Sequence, residues 1–213
     1  MFADPVIVRH LGVCEYADIY EKMLTFNQSR DGNTPDEIWL LQHQPVYTLG
    51  LNGKVEHILN AHDIPVVNTD RGGQVTYHGP GQLIAYVLFD MRRNQLGVRQ
   101  TVTALEQSVI ALLASESISG YAKKDAPGVY VDEYKIAALG LRVKRGGCYH
   151  GISINVDMDL SPFNHINPCG YPDLKVTSMR QMGLGYNMDQ FTQVYLPFLC
   201  QQFAINQIIE IHE

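Results

Sequence analysis

One cysteine lies in a setting that could support nucleophilic chemistry. Cys169 stands between Pro168 and Gly170 in the stretch FNHINPCGYPDLKVT, residues 163–177. Proline lacks a backbone N–H and glycine lacks a Cβ atom, so this stretch suits neither a helix interior nor a central strand. The thiol is therefore expected on a loop. A cysteine there serves either as a small buried side chain or as a nucleophile.

A lysine is the second candidate. Lys135 begins the stretch KIAALGLRV, and alternate residues of a strand share a face, which predicts Lys135 on an apolar face. That face is formed by Ala137, Leu139, Leu141 and Val143. Apolar surroundings make an ammonium easier to deprotonate, and a neighbouring ammonium stabilises a thiolate. The alternative is a side chain that extends to solvent from the strand end. The small residues Ala138 and Gly140 are predicted on the opposite face.

A glycine-rich stretch, RGGQVTYHGPGQL, covers residues 71–83. Glycines let the backbone approach a ligand and direct its N–H groups, while Arg71 and His78 can supply charge or a proton. No Gly-Lys-Ser/Thr follows, which excludes a Walker loop, and the spacing is not the dinucleotide GxGxxG. A ligand-binding loop is one interpretation, and a plain glycine-rich hairpin is the other.

A second strand with one polar face reads HGISINV, residues 150–156. Alternation predicts Gly151, Ser153 and Asn155 on one face of this strand. It predicts the other face to carry His150, Ile152, Ile154 and Val156. The polar face either lines a pocket or is turned to solvent.

Short strands and three helices are predicted to position these residues. The predicted strands include residues 6–11, 38–41, 46–49 and 65–68, followed by two glycine-punctuated β segments that start at residues 71 and 128. The predicted helices are 15–30, 98–118 and 189–203, and Pro197 predicts a kink or a late start in the last one. Residues 132–133 and 145–147 are predicted turns. Strands that outnumber helices and arrive as hairpins indicate an α+β fold, with helices packed on a mixed or antiparallel sheet.

Composition restricts the class of protein. The chain has 213 residues and a formal net charge of −6, which argues against nucleic-acid binding and fits one domain over residues 1–213. No secretory signal and no membrane helix is predicted. The four cysteines show no metal-ligand or disulfide spacing, which favours a cytoplasmic protein without a metal. Acidic protein partners would need the basic pairs at 92–93, 123–124 and 144–145.

Four stretches together resemble a known family. RGGQVTYHGPGQL, GVYVDEYKIAALGLRV, HGISINV and INPCG, in this order and spacing, are similar to the lipoyl (octanoyl) transferases of the biotin and lipoate protein ligase superfamily. The similarity runs from about residue 38 to residue 178, and no motif position departs from the pattern. It implies a ligase-like catalytic domain, with a mixed sheet that carries helices on one side and a family-like core over about residues 36–205.

The resemblance implies a reaction and its participants. Members transfer an octanoyl group from octanoyl-acyl carrier protein to a specific lysine of lipoyl domains, without ATP or another cofactor, as the first step of protein lipoylation. The acceptors are the lipoyl domains of 2-oxo acid dehydrogenases and the glycine cleavage H protein. Carried over to this chain, the nucleophile is Cys169, which forms a thioester, and the base and acid is Lys135.

The resemblance also implies a substrate-binding set in three stretches. These residues are Arg71, Gly72, Gly73, Gln74, Val75, Thr76, Tyr77, His78, Ala138, Leu139, Gly140, Gly151, Ile152 and Ser153. Tyr77, Val75 and Leu139 are expected to line an acyl slot, which gains about 0.8 kcal/mol for each buried methylene. His78, and less strongly His43 and Tyr86, are expected to orient Lys135 or the acyl carbonyl. Backbone N–H groups of Gly170, Gly72 or Gly73 are the candidate oxyanion donors.

Three alternatives remain open at this point. An ATP-dependent lipoate or biotin protein ligase on the same fold would need no cysteine. An amidotransferase would pass the acyl group from one lipoyl domain to another. A non-catalytic module would bind acyl carrier protein or the lipoyl domain without turnover and would leave Cys169 unmodified.

Overall fold

Two β-sheets and three α-helices organise the part of the chain that the computed structural model describes. That part contains every residue except Met1, Ala3, Tyr171 and Asp173, and it excludes the side chain of Cys169. The strands, in chain order, are β1 (Val6–Cys14), β2 (Glu37–His43), β3 (Val46–Leu49), β4 (Val66–Asn68), β5 (Val75–His78), β6 (Gln82–Leu88), β7 (Tyr121–Ala122), β8 (Gly128–Val131), β9 (Tyr134–Lys144), β10 (Gly147–Asn155) and β11 (Ile208–His212).

The helices are α1 (Tyr16–Ser29), α2 (Val98–Ser115) and α3 (Met188–Phe203). Short 3-10 helices cover Val55–His57, Ser161–His165, Pro168–Gly170 and Arg180–Met182. None of the helices in this described part is long and apolar enough to span a membrane.

The large sheet has eight strands in the order β11-β1-β2-β6-β10-β9-β8-β7. The pairs β11/β1 and β1/β2 are parallel, and the remaining pairs are antiparallel. A small sheet, β4-β3-β5, contains one parallel and one antiparallel pair. Both sheets are therefore mixed, which confirms the predicted α+β class.

Alternate residues of β2 pack into different hydrophobic cores. Ile38 and Leu40 face the core that contains α2 and α3, whereas Trp39 and Leu41 face the core that contains α1. This is the period-2 pattern of a strand buried on both faces. The expected placement of helices on one side therefore holds for α2 and α3, while α1 covers the opposite face.

Helix α3 begins at a capping box rather than after its proline. The Asn187 side chain accepts a hydrogen bond from the Gln190 backbone at 2.9 Å, and the Gln190 side chain accepts one from the Asn187 backbone at 3.1 Å. These bonds satisfy N–H groups that a helix start leaves without partners. The helix then continues through Pro197, so the expected late start is wrong.

Both predicted hairpin turns are present. Asp132 and Glu133 have φ values of 44° and 70°, and Arg145 and Gly146 have φ values of 56° and 91°. Two consecutive residues with positive φ form the turn whose twist matches antiparallel strands. These turns connect β8 to β9 and β9 to β10, and so fix the register of the two strands that carry the predicted site.

Candidate active site

A cavity of about 440 Å³ is lined by residues of β6, β9 and β10 and by the 71–78 segment. All of the predicted substrate-binding residues line it, with one exception. The exception, Tyr77, is 5.5 Å from the ring of Tyr47 and 5.6 Å from the ring of Phe163, centroid to centroid. Alternation along β5 turns the Tyr77 side chain into a third hydrophobic cluster, which includes Tyr47 and Phe163. The expectation that the Tyr77 ring lines the acyl slot is therefore wrong.

Lys135 reaches the cavity because β9 contains a bulge. Val129 pairs with Ala137, and the next residue, Tyr130, pairs with Lys135, which leaves Ile136 as an extra residue. Ile136 and Ala137 are both buried in the main core. The bulge therefore reverses the alternation. The prediction that Lys135 shares a face with Ala137 is wrong, because Lys135 lines the cavity together with Ala138 and Gly140.

The Lys135 side chain is buried and has several contacts. Only 3% of the residue is exposed, so the alternative of a side chain extended to solvent is wrong. Its Nζ atom donates to the Pro127 carbonyl at 3.0 Å and lies 5.1 Å from the centroid of the Tyr130 ring. Both contacts favour the ammonium form, since a carbonyl oxygen and an aromatic face attract a cation.

The turn that contains Cys169 is fixed to the same region through its neighbours. Pro168 and Lys135 line one narrow cavity, together with Thr76 and Ser153. On the other side of the turn, the Lys135 N–H donates to the Lys175 carbonyl at 2.9 Å. The main chain of Cys169 lies in the 3-10 helix Pro168–Gly170, but its side chain lies outside the described residues. The structure therefore places Pro168 and Lys175, which lie on either side of Cys169 in the chain, close to Lys135.

The Arg71 guanidinium holds the glycine-rich loop in place. It donates to the Thr48 carbonyl at 2.7 Å, to the Gly72 carbonyl at 2.9 Å and to the Gln74 carbonyl at 2.8 Å. It also donates to the Thr48 hydroxyl at 2.8 Å. Arg71 lines the cavity, yet these described bonds give it a clear role in shaping the loop.

A chain of hydrogen bonds connects His78 to the segment beside Lys135. His78 Nδ1 lies 2.7 Å from Gln82 Oε1, Gln82 donates to Asn155 Oδ1 at 2.9 Å, and Asn155 donates to the Thr177 carbonyl at 2.9 Å. Because the Gln82 oxygen can only accept, His78 carries its proton on Nδ1. Burial, followed by the charge of His43, holds the pKa of His78 well below its usual range. The Thr177 N–H in turn donates to the Lys135 carbonyl at 3.0 Å, so a neutral His78 is separated from Lys135 by three residues along this chain of bonds.

His43 and Tyr86 form a second buried pair. His43 Nε2 accepts from the Tyr86 hydroxyl at 2.7 Å, and His43 Nδ1 donates to the Cys14 carbonyl at 3.2 Å. Burial lowers the pKa of His43 to about 4 and raises that of Tyr86 well above its usual value. Only Tyr86 of the two lines the cavity, so His43 acts on the cavity through the tyrosine.

A polar cluster centred on Asp70, which reaches the cavity through His150, was not expected from the sequence. Asp70 receives a hydrogen bond from Tyr149, lies 3.2 Å from His150 Nε2 and pairs with Arg142 at 3.6 Å. Burial opposes its ionisation, but the bonds from His150, Tyr149 and Tyr20 together hold the pKa of Asp70 well below its usual range. His150 has a φ of 63°, and this left-handed backbone brings its ring to the cavity with Gly151 instead of to the opposite face. Only the aspartate next to the glycine-rich stretch hinted at this cluster.

Of the three glycines expected to supply oxyanion donors, only Gly73 keeps an N–H without an acceptor among the described residues, and Gln74 joins it. The Gly72 N–H already donates to the Leu141 carbonyl at 3.0 Å, and the Gly170 N–H donates to the Asn167 carbonyl at 2.9 Å. Within the described residues no acceptor is recorded for the N–H of Gly73 or Gln74, and both residues line the cavity. These two groups are available to a ligand oxygen.

Potential metal ligands occur elsewhere. Among the described residues, the one group of His, Cys, Asp and Glu side chains with suitable spacing is His10, Glu210 and His212. None of the three lines the cavity beside Lys135.

Known proteins are similar in sequence to this chain over most of its length. The family described as lipoyl protein ligase A/B catalytic domain matches residues 19–199. An octanoyltransferase from Chromobacterium violaceum is 52% identical over 195 residues, which are 92% of this chain and 94% of that protein. One from Shewanella halifaxensis is 47% identical over 209 residues, which are 98% of this chain and 95% of that protein. The chain belongs to the octanoyltransferase family. It is an acyltransferase of protein lipoylation, which confirms the resemblance seen in its motifs.

Solved structures show that this octanoyltransferase has the ligase fold. A lipoate-protein ligase A bound with ATP superposes with a TM-score of 0.77 at 12% identity, covering 100% of this chain and 90% of that one. A biotin protein ligase from Aquifex aeolicus superposes with a TM-score of 0.55 at 14% identity, covering 96% of this chain and 70% of that one. The predicted superfamily fold is confirmed.

Proposed function

We propose that this octanoyltransferase works by a two-step covalent route, with Cys169 as nucleophile and Lys135 as acid and base. The donor is octanoyl-acyl carrier protein. The acceptors are lysines on the lipoyl domains of 2-oxo acid dehydrogenases and on the glycine cleavage H protein. The observation that supports this route is the position of the PCG turn near Lys135: Pro168 lines the same narrow cavity, and the 175–177 segment is hydrogen-bonded to the Lys135 backbone.

The first half-reaction starts from a Cys169 thiolate and a Lys135 ammonium. The sulfur attacks the octanoyl thioester carbonyl, the carbon–sulfur bond to phosphopantetheine breaks, and Lys135 gives its proton to the departing sulfur. The products are an octanoyl-Cys169 thioester, a neutral Lys135 amine and a free carrier-protein thiol. A buried lysine suits this step, because a dry site lowers the cost of losing the charge.

The second half-reaction restores the starting state. Neutral Lys135 takes a proton from the acceptor ammonium, and the acceptor amine attacks the Cys169 thioester. The amide forms with one N–H retained, the Cys169 thiolate leaves, and the second proton of the attacking amine passes to solvent. The N–H groups of Gly73 and Gln74 are suited to stabilise the oxyanion in each half-reaction.

The cavity provides a slot for the acyl chain. Its apolar lining includes Ile84, Val102, Leu139 and Ile152. At about 0.8 kcal/mol for each buried methylene, this lining would bind an eight-carbon chain without a charged contact. Cytoplasmic location is part of the proposal, and the described cysteines Cys14, Cys148 and Cys200 are free, as in a reducing compartment.

Mass spectrometry of the intact chain tests the route. Incubation with octanoyl-acyl carrier protein alone is expected to add one octanoyl group at Cys169, and Cys169→Ala is expected to remove both the adduct and transfer. An active Cys169→Ala variant that requires ATP and octanoic acid would identify a ligase instead. Adduct formation from an octanoylated lipoyl domain, and not from the carrier protein, would identify an amidotransferase. Partner binding with no adduct would identify a binding module.

A further inference from the structure

One peptide group connects a buried glutamate to Lys135. The carbonyl of the Pro127–Gly128 peptide accepts the hydrogen bond from Lys135 Nζ at 3.0 Å. The N–H of the same peptide donates to Glu106 Oε1, on α2, at 2.9 Å. A carboxylate on the N–H side makes the carbonyl oxygen of a peptide more negative, because hydrogen bonds in series polarise one another.

The burial of the Glu106 carboxylate is unfavourable for the stability of the fold. It is 8% exposed, and within the described residues the Gly128 N–H is its one recorded hydrogen-bond partner. Burial raises its pKa, while the Gly128 N–H and the charge of Lys135 oppose that rise. A carboxylate with so few partners normally destabilises a core. Its position therefore calls for a role in the site.

Gly128 permits the close approach. Its φ is 137°, and a Cβ atom there would lie 2.5 Å from the Ala137 carbonyl and 3.3 Å from Lys135 Nζ. A larger residue would displace the lysine or the peptide. The backbone is thus shaped so that Lys135 lies directly against the peptide that Glu106 holds.

We propose that Glu106 is a positioning residue for Lys135: through the Pro127–Gly128 peptide it holds the ammonium in place and favours its protonated form. This inference rests on the proposed role of Lys135 in acyl transfer. It adds a second anion to the site besides the thiolate, so that Lys135 stays protonated until the leaving sulfur needs its proton.

Other charged groups also face this lysine. The ring of Tyr130 contacts two ammonium groups, with Lys135 Nζ at 5.1 Å and Lys123 Nζ at 4.5 Å from its centroid. Lys123 is paired with Glu133 at 2.7 Å, which reduces its repulsion of Lys135. Asp125 lines the same cavity. Among these groups Glu106 alone combines burial with a bond to the peptide that binds Lys135.

The test compares Glu106→Gln with wild type. Glutamine keeps the shape and the acceptor oxygen but removes the charge. We expect the alkaline limb of the pH profile for octanoyl-Cys169 formation to move to lower pH, with a rate loss of about tenfold at neutral pH. Glu106→Asp, which retains the charge, is expected to restore most of the rate. Glu116→Gln, at the end of the same helix, is the matched control and is expected to behave as wild type.

A direct titration separates this inference from the proposed function. The Lys135 Nζ signal, followed by NMR against pH, is expected to titrate at lower pH in Glu106→Gln whether or not the chain turns over. An unchanged Lys135 titration in folded Glu106→Gln would overturn the role of Glu106. A wild-type chain that forms no adduct would overturn the proposed function and leave the titration result valid.

A second, independent site lies at the edge of the large sheet. His10 on β1 pairs with His212 on β11. Glu210 lies two residues before His212, so the two side chains share one face of β11. His10 Nε2 lies 2.8 Å from Glu210 Oε2, and the two imidazole rings stack 4.3 Å apart. The ligand atoms of all three residues lie within 4.8 Å of one another. A nearby cavity of about 340 Å³ also includes Cys200 in its lining.

We infer that this group binds a divalent transition metal, with zinc as the best fit. Two imidazole nitrogens and a carboxylate oxygen are typical zinc ligands, which bind this metal at about 2.0–2.2 Å. The bound metal would join β11 to β1.

Calorimetric titration with zinc chloride tests this second inference. We expect one site per chain and a higher melting temperature with zinc. His212→Ala is expected to weaken binding at least tenfold and to abolish the thermal shift. His62→Ala is the control, because it removes another histidine pair, His62 and His165, whose ring centroids are 4.5 Å apart. It is expected to change neither the zinc affinity nor the thermal shift. Equal zinc affinity in wild type and His212→Ala would overturn the inference.

Discussion

Lys135 and Val176 form an isolated parallel bridge. The Lys135 N–H donates to the Lys175 carbonyl at 2.9 Å, and the Lys135 carbonyl accepts from the Thr177 N–H at 3.0 Å. These bonds attach the segment after the PCG turn to the strand that carries the lysine. The backbone thereby sets the distance between two regions that are far apart in sequence, independently of either side chain.

Lys135→Met is expected to lower both half-reactions. Methionine fills a similar volume but cannot give or take a proton, and general acid–base catalysis contributes about 10² to 10⁴-fold. The measurement is the rate of octanoyl-Cys169 formation and, separately, the rate of transfer from preformed octanoyl-enzyme. Wild-type rates in both assays, from a folded variant, would contradict the role of Lys135.

Gly140→Ala is expected to weaken substrate use by displacing the glycine-rich loop. A Cβ atom at Gly140 would lie 2.7 Å from the Gly72 carbonyl, so the loop would have to move away from β9. We expect a loss of about tenfold in kcat/KM and about 1–3 kcal/mol of stability. Gly185→Ala is the control, since no atom lies within 4 Å of a Cβ there. Equal kinetics for the two variants would show that the loop tolerates the displacement.

The preference for donors of a given acyl-chain length is expected to depend on the volume of the cavity. Two methylenes fewer remove about 1.6 kcal/mol of burial, so hexanoyl donors should be used about 15-fold less well than octanoyl donors. Val102→Phe, which narrows the cavity, is expected to shift the preference towards shorter chains. Competition between donors of different length measures this preference. Val143→Phe, at an exposed position on β9 outside the cavity lining, should leave it unchanged.

The buried histidines are expected to make stability depend on pH. Burial holds the pKa values of His43, His78 and His150 below normal, so the folded chain keeps them neutral while the unfolded chain binds protons from about pH 6.5 downward. Their contribution is complete above pH 6.5 and is lost as the pH falls. For His43, whose pKa is lowered to about 4, the loss is roughly 3 kcal/mol once the pH is below that value.

Urea unfolding at a series of pH values between 7 and 4 measures this dependence. His43→Gln is expected to give a shallower decline of the free energy of unfolding than wild type, whatever its absolute stability. Substitution of His62, which is exposed, is expected to leave the slope unchanged. A wild-type slope in His43→Gln would show that other groups cause the acid instability.

Local patterns in the sequence determined much of this protein. The turns at Asp132-Glu133 and Arg145-Gly146, the span of α1 and the α+β class follow from short-range preferences for φ, periodicity and hairpin turns. The four motifs identified the family, and most of their residues line one cavity. These features need no knowledge of distant contacts.

Tertiary structure alone decided where the decisive side chains point. The bulge at Ile136 depends on how β9 pairs with β8, and it turns Lys135 to the cavity. The left-handed backbone at His150 and the contacts of Asp70 likewise depend on partners from other elements. A single extra residue in one strand reverses every side chain beyond it, because the period of a strand is two. Pairing between strands is set by long-range packing, which no local stretch of sequence contains.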